Sequence, residues 1–166
     1  MATERDDDAA RDFVEELGLL VESTGWMPRI AGRTLGWLLL APEPQSQADL
    51  REALQASGAA ISTATRLLIA QGLVQKVSIP GRRQTYMKVP RDIWHIMESE
   101  GLRTVRRYRA LAEGALAALG EGDSAAEENL ARMSAYFGIV EKRIQVVLAQ
   151  LDEQLVSRPD GSRETP

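Results

Sequence analysis

The 166-residue sequence contains no cysteine. Disulfides, thiolate metal sites and thiol nucleophiles are therefore excluded. It contains a single histidine, His95, and no GxGxxG, P-loop or metal-ligand spacing. The motif-borne enzyme classes find no support, and neither catalysis nor a cofactor is expected. Long apolar runs are also missing. The longest, Leu35 to Ala41, falls far short of the roughly 18–20 residues of a membrane span, so no membrane partner is expected. The opening MATERDDDAARDF is acidic and has no apolar core, unlike a secretory signal. A cytoplasmic address is the expectation.

The net charge of -4 hides an asymmetry. Between Ser57 and Ala110 there are ten basic and three acidic residues, a local charge of +7. A basic middle inside an acidic chain is a footprint for a polyanion. Four of these arginines lie between Arg103 and Arg109, where a solvated helix surface explains them equally well.

Apolar periodicity predicts a helix over 9–24, with Phe13, Leu17, Leu20 and Val21 on one face. Gly25 ends it. Pro28 suits the first turn of a second helix, MPRIAGRTLGWLLLA, which stops before Pro42 and is apolar on more than one face. Ser46 is placed to cap a short helix containing Leu50 and Leu54. Ser57 is placed to cap the next, and Gly72 to end it. Leu73 to Ser78 and Gln84 to Val89 alternate as strands, joined by IPGRR as a hairpin loop. Two long helices follow, over about 91–119 and 124–156, separated by the turn GEGD. In the last one Leu130, Met133, Phe137, Val140, Ile144, Val147 and Leu151 recur in steps of three and four. This is the seam of a helix packed along another helix, either within the chain or between two chains.

A short helix, a tight turn and a second helix form a helix-turn-helix, and a hairpin directly after it makes the winged form. The fold class expected is mainly α with a small β-hairpin. A recognition helix must fit a major groove about 12 Å wide. With Ile61, Leu67 and Leu68 turned inward, Ala59, Ser62, Thr63 and Arg66 fall on the outer face. Small side chains there permit close approach, and hydroxyls and guanidinium groups meet base edges and phosphates. The wing, residues 79–83, carries Arg82 and Arg83, and arginine suits the negative potential of a narrow minor groove. Double-stranded DNA is the partner these features point to. Winged helices also dock proteins, which is the alternative reading.

The segments GWMPRIAGRTLGWLLL and ISTATRLLIAQGLVQKVSIPGRRQTYMKV resemble the MarR superfamily of bacterial regulators, and within it the GbsR-like branch. The resemblance covers about Val14 to Trp94 well and the helical arms more loosely. It implies a transcription factor, often a repressor, that reads a palindromic operator as a homodimer. By position, Ser62, Thr63 and Arg66 match the recognition helix, and Arg82 and Arg83 match the wing. Pattern and composition divide the chain into an acidic, disordered start at 1–8, an N-terminal helix at 9–27, the winged helix-turn-helix at 28–90, C-terminal helical arms at 91–156 and a disordered tail at 157–166, and the resemblance implies that the N- and C-terminal helices are the dimerisation elements. Many wings of this family carry an aspartate before the arginines that braces the loop. Gly81 stands there in this chain, which leaves open which arginine enters the groove.

The family resemblance also implies a small-molecule effector held between the dimer helices and the DNA-reading unit. Trp26, Met27, Trp94, His95 and Tyr108 are the candidate pocket residues, since aromatic rings can hold planar or cationic ligands. Core packing competes for the same residues, and for Trp37 within LGWLLL it is the stronger reading.

Overall fold

A computed structural model describes residues 4–119 and 124–157. The elements are α1 (Glu4–Ser23), α2 (Arg29–Leu40), β1 (Gln45–Ser46), α3 (Gln47–Leu54), α4 (Gly58–Ala70), β2 (Gln75–Ser78), β3 (Thr85–Lys88), α5 (Ile93–Leu119) and α6 (Ser124–Ser157). The expected GEGD turn and the tail from 158 onward lie outside the described residues. The helix expected at 9–24 starts earlier, because residues 4–8 already follow its path. Acidic residues carry no apolar periodicity, but they do not oppose a helix. The chain divides into two units, one up to Ile93 and one from Trp94.

In the first unit, α1 packs on α2 through Val14, Gly18 and Val21. Of the expected apolar face of α1, Val21 is buried and Leu17 is half-buried beside Gly36, but the other two residues lie outside the contact. Phe13 and Leu20 are exposed, at 42% and 61%. The cause is steric. A Cβ on Gly32 would lie 2.9 Å from the Gly18 Cα, so the two helices meet backbone to backbone, and small residues rather than large ones mark the contact. Glu15 of α1 accepts from Arg29 at 2.9 Å and pairs with Arg33 at 2.7 Å. Arg33 also donates to the carbonyl of Leu54 at 3.0 Å, tying α1 and α2 to the end of α3.

The core under the helix-turn-helix consists of Leu35 and Leu38 from α2, Leu50 and Leu54 from α3, and Ile61, Ala64 and Leu68 from α4. Each fully buried aliphatic side chain stabilises by about 2 kcal/mol. Two buried hydroxyls are satisfied locally. Thr34 donates to the carbonyl of Ile30 at 2.7 Å and Thr65 to that of Ile61 at 2.8 Å. Helix α3 starts in a reciprocal capping box, in which the Ser46 hydroxyl accepts from the Asp49 N–H and the Asp49 carboxylate accepts from the Ser46 N–H. Gln55 turns the chain out of α3 in the left-handed region, at φ 48 and ψ 45. Helix α4 is capped by Ser57 and ends at Gly72, which adopts φ 72. The Leu73 N–H then reaches back to the Leu68 carbonyl at 2.9 Å and the Gly72 N–H to that of Ile69 at 3.0 Å, the paired closure that a left-handed C′ residue allows.

The sheet has three antiparallel strands in the order β1-β3-β2, where the sequence suggested two. Tyr86 on the central strand lies opposite Ser46 on β1 and Val77 on β2. The two-residue β1, preceded by Pro42 and Pro44, is too short to show alternation. Strand β2 starts two residues later than expected, and β3 is one residue shorter at each end.

In the second unit, α5 and α6 run antiparallel. His95, Arg106 and Glu113 meet Asp152, Glu141 and Ser134 in turn. Tyr108 stacks on Phe137 with ring centroids 5.0 Å apart. The seam of α6 is half-buried at Leu130, Met133, Phe137, Val140, Ile144 and Leu151. At Phe137 it is thus engaged within the chain. Leu111, Leu119, Tyr136, Ile139 and Val146 remain more than half exposed. Among the described residues, no helix is long and apolar enough to cross a membrane.

Candidate nucleic-acid interface

Helix α4 turns Ile61, Ala64, Thr65 and Leu68 into the core. Its other face is open. Ala59, Thr63 and Arg66 are exposed and Ser62 is half-buried. The Arg66 guanidinium lies back along its own helix, donating to the Ser62 carbonyl at 3.3 Å and to the Thr63 hydroxyl at 3.4 Å. These long, exposed hydrogen bonds hold it weakly. The face therefore combines small side chains, two hydroxyls and a cation that is readily released to another acceptor.

The wing connects β2 to β3. The Arg82 N–H donates to the Ile79 carbonyl at 3.0 Å across Pro80 and Gly81, and Gly81 adopts φ 80. Proline followed by a residue at positive φ is the chemistry of a type II turn. Residues 80–85 are all exposed. Arg82 Nη1 donates to the Tyr86 hydroxyl at 3.1 Å, and its guanidinium carbon lies 5.8 Å from the ring centroid. Among the described residues, Arg83 has neither a hydrogen bond nor an ion pair. Asp49 faces the same region. Its carboxyl is held below the ordinary aspartate value of 3.8, first by the Ser46 N–H, then by the Ser46 hydroxyl and last by the field of Arg82.

Between the start of α3, α4 and the sheet lies a cleft of about 430 Å³, lined by Ser46, Gln47, Thr65, Arg66, Lys76 and Gln84 among others. It sets Lys76 on the same opening as Arg66. Lys76 belongs to the basic middle of the sequence, but within a strand pattern nothing singled it out. Tyr86 and Asp49 also went unnoticed. Their roles depend on β1 and on the folded turn, and the one local signal was the Ser46-x-x-Asp49 spacing of a capping box.

The candidate effector residues are distributed over both units. In the first, Trp26 is 41% exposed and Met27 is buried in the core. Trp37 is half-buried, with its indole N–H 3.4 Å from the Gln45 side-chain oxygen. In the second, Trp94 is 52% exposed. His95 Nε2 lies 3.2 Å from the Asp152 carboxylate, and Tyr108 is engaged with Phe137.

A helix-turn-helix with an open small-residue face, followed by a β2–β3 hairpin with arginines at its tip, is a winged helix-turn-helix, the fold class of DNA-binding regulators. Residues 27–84 match the MarR family, and residues 92–154 match the MmpR5-like MarR family transcriptional regulators. The chain is 33% identical over 144 residues to the HTH-type transcriptional regulator MmpR5 of Mycobacterium tuberculosis, covering 86% of this chain and 87% of that protein. A crystal structure of a transcriptional regulator superposes with a TM-score of 0.75 at 33% identity, covering 87% of this chain and 99% of that one. The MepR–DNA complex of Staphylococcus aureus is a remote likeness, with 15% identity and a TM-score of 0.41 over 83% of this chain and 96% of that one. The chain belongs to the MarR family of transcriptional regulators, in its MmpR5-like group. It is a DNA-binding regulator and not an enzyme.

Proposed function

We propose that the chain acts as a homodimeric repressor in the cytoplasm and reads a pseudo-palindromic operator. One α4 enters each of two successive major grooves and each wing, residues 79–83, enters the adjoining minor groove. Ala59, Ser62 and Thr63 let the backbone of α4 approach the base edges, and Arg66 swings from its own helix to a guanine or a phosphate. Lys76 adds a phosphate contact from the cleft beside α4. The single observation that carries this reading is the open face of α4, with Thr63 and Arg66 exposed beside an exposed wing bearing Arg82 and Arg83.

The dimer is supported by apolar surface. Phe13 and Leu20 on α1, Leu111 on α5 and Tyr136, Ile139 and Val146 on α6 are all more than two-fifths exposed. Apolar groups left uncovered on each unit, taken by itself, suit association with a second copy. Two-fold symmetry then sets half-sites about one helical turn apart. Control by a small effector is part of the same reading, and each unit leaves one indole exposed, Trp26 in the first and Trp94 in the second. The GbsR-like character of the quoted segments rests on those residues alone, since the group matched is MmpR5-like.

Selection of bound duplexes from a random pool tests the proposal. Enrichment of an inverted repeat supports it. Equal recovery of all sequences reduces it to general polyanion binding, and recovery of none leaves the protein-docking reading.

A further inference from the structure

We propose that the two wing arginines have different roles. Arg82 is a positioning residue that fixes the wing to Tyr86, and Arg83 alone enters the minor groove. This rests on the DNA-binding reading above and goes a step further. The two side chains are adjacent in sequence but differ in their surroundings. Arg82 is committed on both sides, through its N–H to the Ile79 carbonyl and through Nη1 to the Tyr86 hydroxyl. Its acceptor is rigid. Tyr86 is 5% exposed, on the central strand between Ser46 and Val77. Asp49 adds its negative field from the first turn of α3. Arg83 is exposed and has no partner among the described residues.

Pulling Arg82 into a groove would break its part-buried hydrogen bond to the Tyr86 hydroxyl and lift its guanidinium from the Tyr86 ring, interactions that binding would have to replace. Arg83 gives up nothing. A minor groove only about 6 Å wide takes one guanidinium from a tip of this size more readily than two. A wing whose turn is anchored at Tyr86 also presents Arg83 with less conformational freedom to lose on binding. Tyr86 thus supplies, from β3, the bracing that Gly81 cannot provide.

The test uses the full chain and a fluorescein-labelled duplex enriched from the random pool, with affinity followed by anisotropy from about 50 to 200 mM salt. Each arginine–phosphate contact contributes about one unit to the log–log salt slope. Arg83→Ala is expected to flatten the slope by about two units in the dimer, one for each wing. Arg82→Ala and Tyr86→Phe are expected to weaken binding several-fold at every salt concentration with the slope unchanged, and the double variant to be no worse than either single one, since they break the same link. Tyr86→Phe keeps the buried ring, which separates loss of the brace from loss of the fold. Hydrogen exchange at residues 79–83 is expected to speed up in Arg82→Ala and Tyr86→Phe and not in Arg83→Ala. A salt slope that falls equally in Arg82→Ala and Arg83→Ala, together with wild-type binding by Tyr86→Phe, overturns the division of roles but leaves DNA binding intact. Failure of the unaltered chain to bind any duplex overturns both.

Discussion

Ser46 serves two elements at once. It belongs to β1, opposite Tyr86, and it caps α3 in reciprocal hydrogen bonds with Asp49. Replacing it with alanine is expected to cost about 1 kcal/mol, the usual worth of an N-cap, measured by denaturant unfolding. The Asp49 side of the box depends on pH. Its carboxyl is lowered from 3.8 in the folded chain, so ionisation favours the fold. That stability is fully present above the unfolded value and is lost as pH falls through the folded one. Asp49→Ala is therefore expected to be less stable than the parent at pH 7, with the gap closing below pH 3.8. A gap that stays constant on acidification would assign the effect to something other than the charge. The caps at Ser46 and Ser57 and the stop at Gly72 were legible in the sequence because each involves residues only a few positions apart. The link from Arg82 to Tyr86 was not. It becomes visible only when the hairpin is folded and β1 closes the sheet on its other side.

Among the elements, the approach of α1 to α2 best separates pattern from packing. Apolar periodicity put Phe13, Leu17, Leu20 and Val21 on one face; Leu17 and Val21 do meet α2, but Phe13 and Leu20 do not, and Val14 and Gly18 complete the contact with Gly32 and Gly36. Periodicity weighs large side chains, but a close helix crossing selects small ones. Gly32→Ala would set a methyl group 2.9 Å from the Gly18 Cα, where no side chain can yield. It is expected to destabilise the first unit by about 1–3 kcal/mol, the range for overpacking, with a matching shift of the unfolding midpoint. The helix-turn-helix itself was easier to see. Leu50, Leu54, Ile61 and Leu68 recur at helical spacing and are all buried, so α3 and α4 were placed within a residue or two. The short β1 was missed because pairing with β3, not its own two residues, makes it a strand.

At the scale of the whole molecule, each unit leaves groups that ask for partners. The first carries the exposed cations of α4 and the wing, in a chain whose net charge is -4, and exposed apolar side chains on α1. The second, taken by itself, leaves apolar side chains uncovered on α5 and α6. The α6 seam, expected to pack along another helix either within the chain or between two chains, is half-buried and meets α5 at Phe137, leaving Tyr136, Ile139 and Val146 as the outward group. Ile139→Glu with Val146→Glu is therefore expected to yield monomers by light scattering, while the first unit keeps its unfolding midpoint. A variant that stays dimeric would move the interface to α1. Loss of the dimer is also expected to weaken operator binding by orders of magnitude, because two half-sites bound together gain from effective concentration.

The most direct measurement is the affinity of the unaltered chain for its selected duplex as a function of salt. Counterion release by arginines and lysines on the α4 face and the wing is expected to produce at least a tenfold loss between about 50 and 200 mM salt. An affinity that does not change over that range would contradict the account, because neither Arg66 nor the wing would then be touching phosphate.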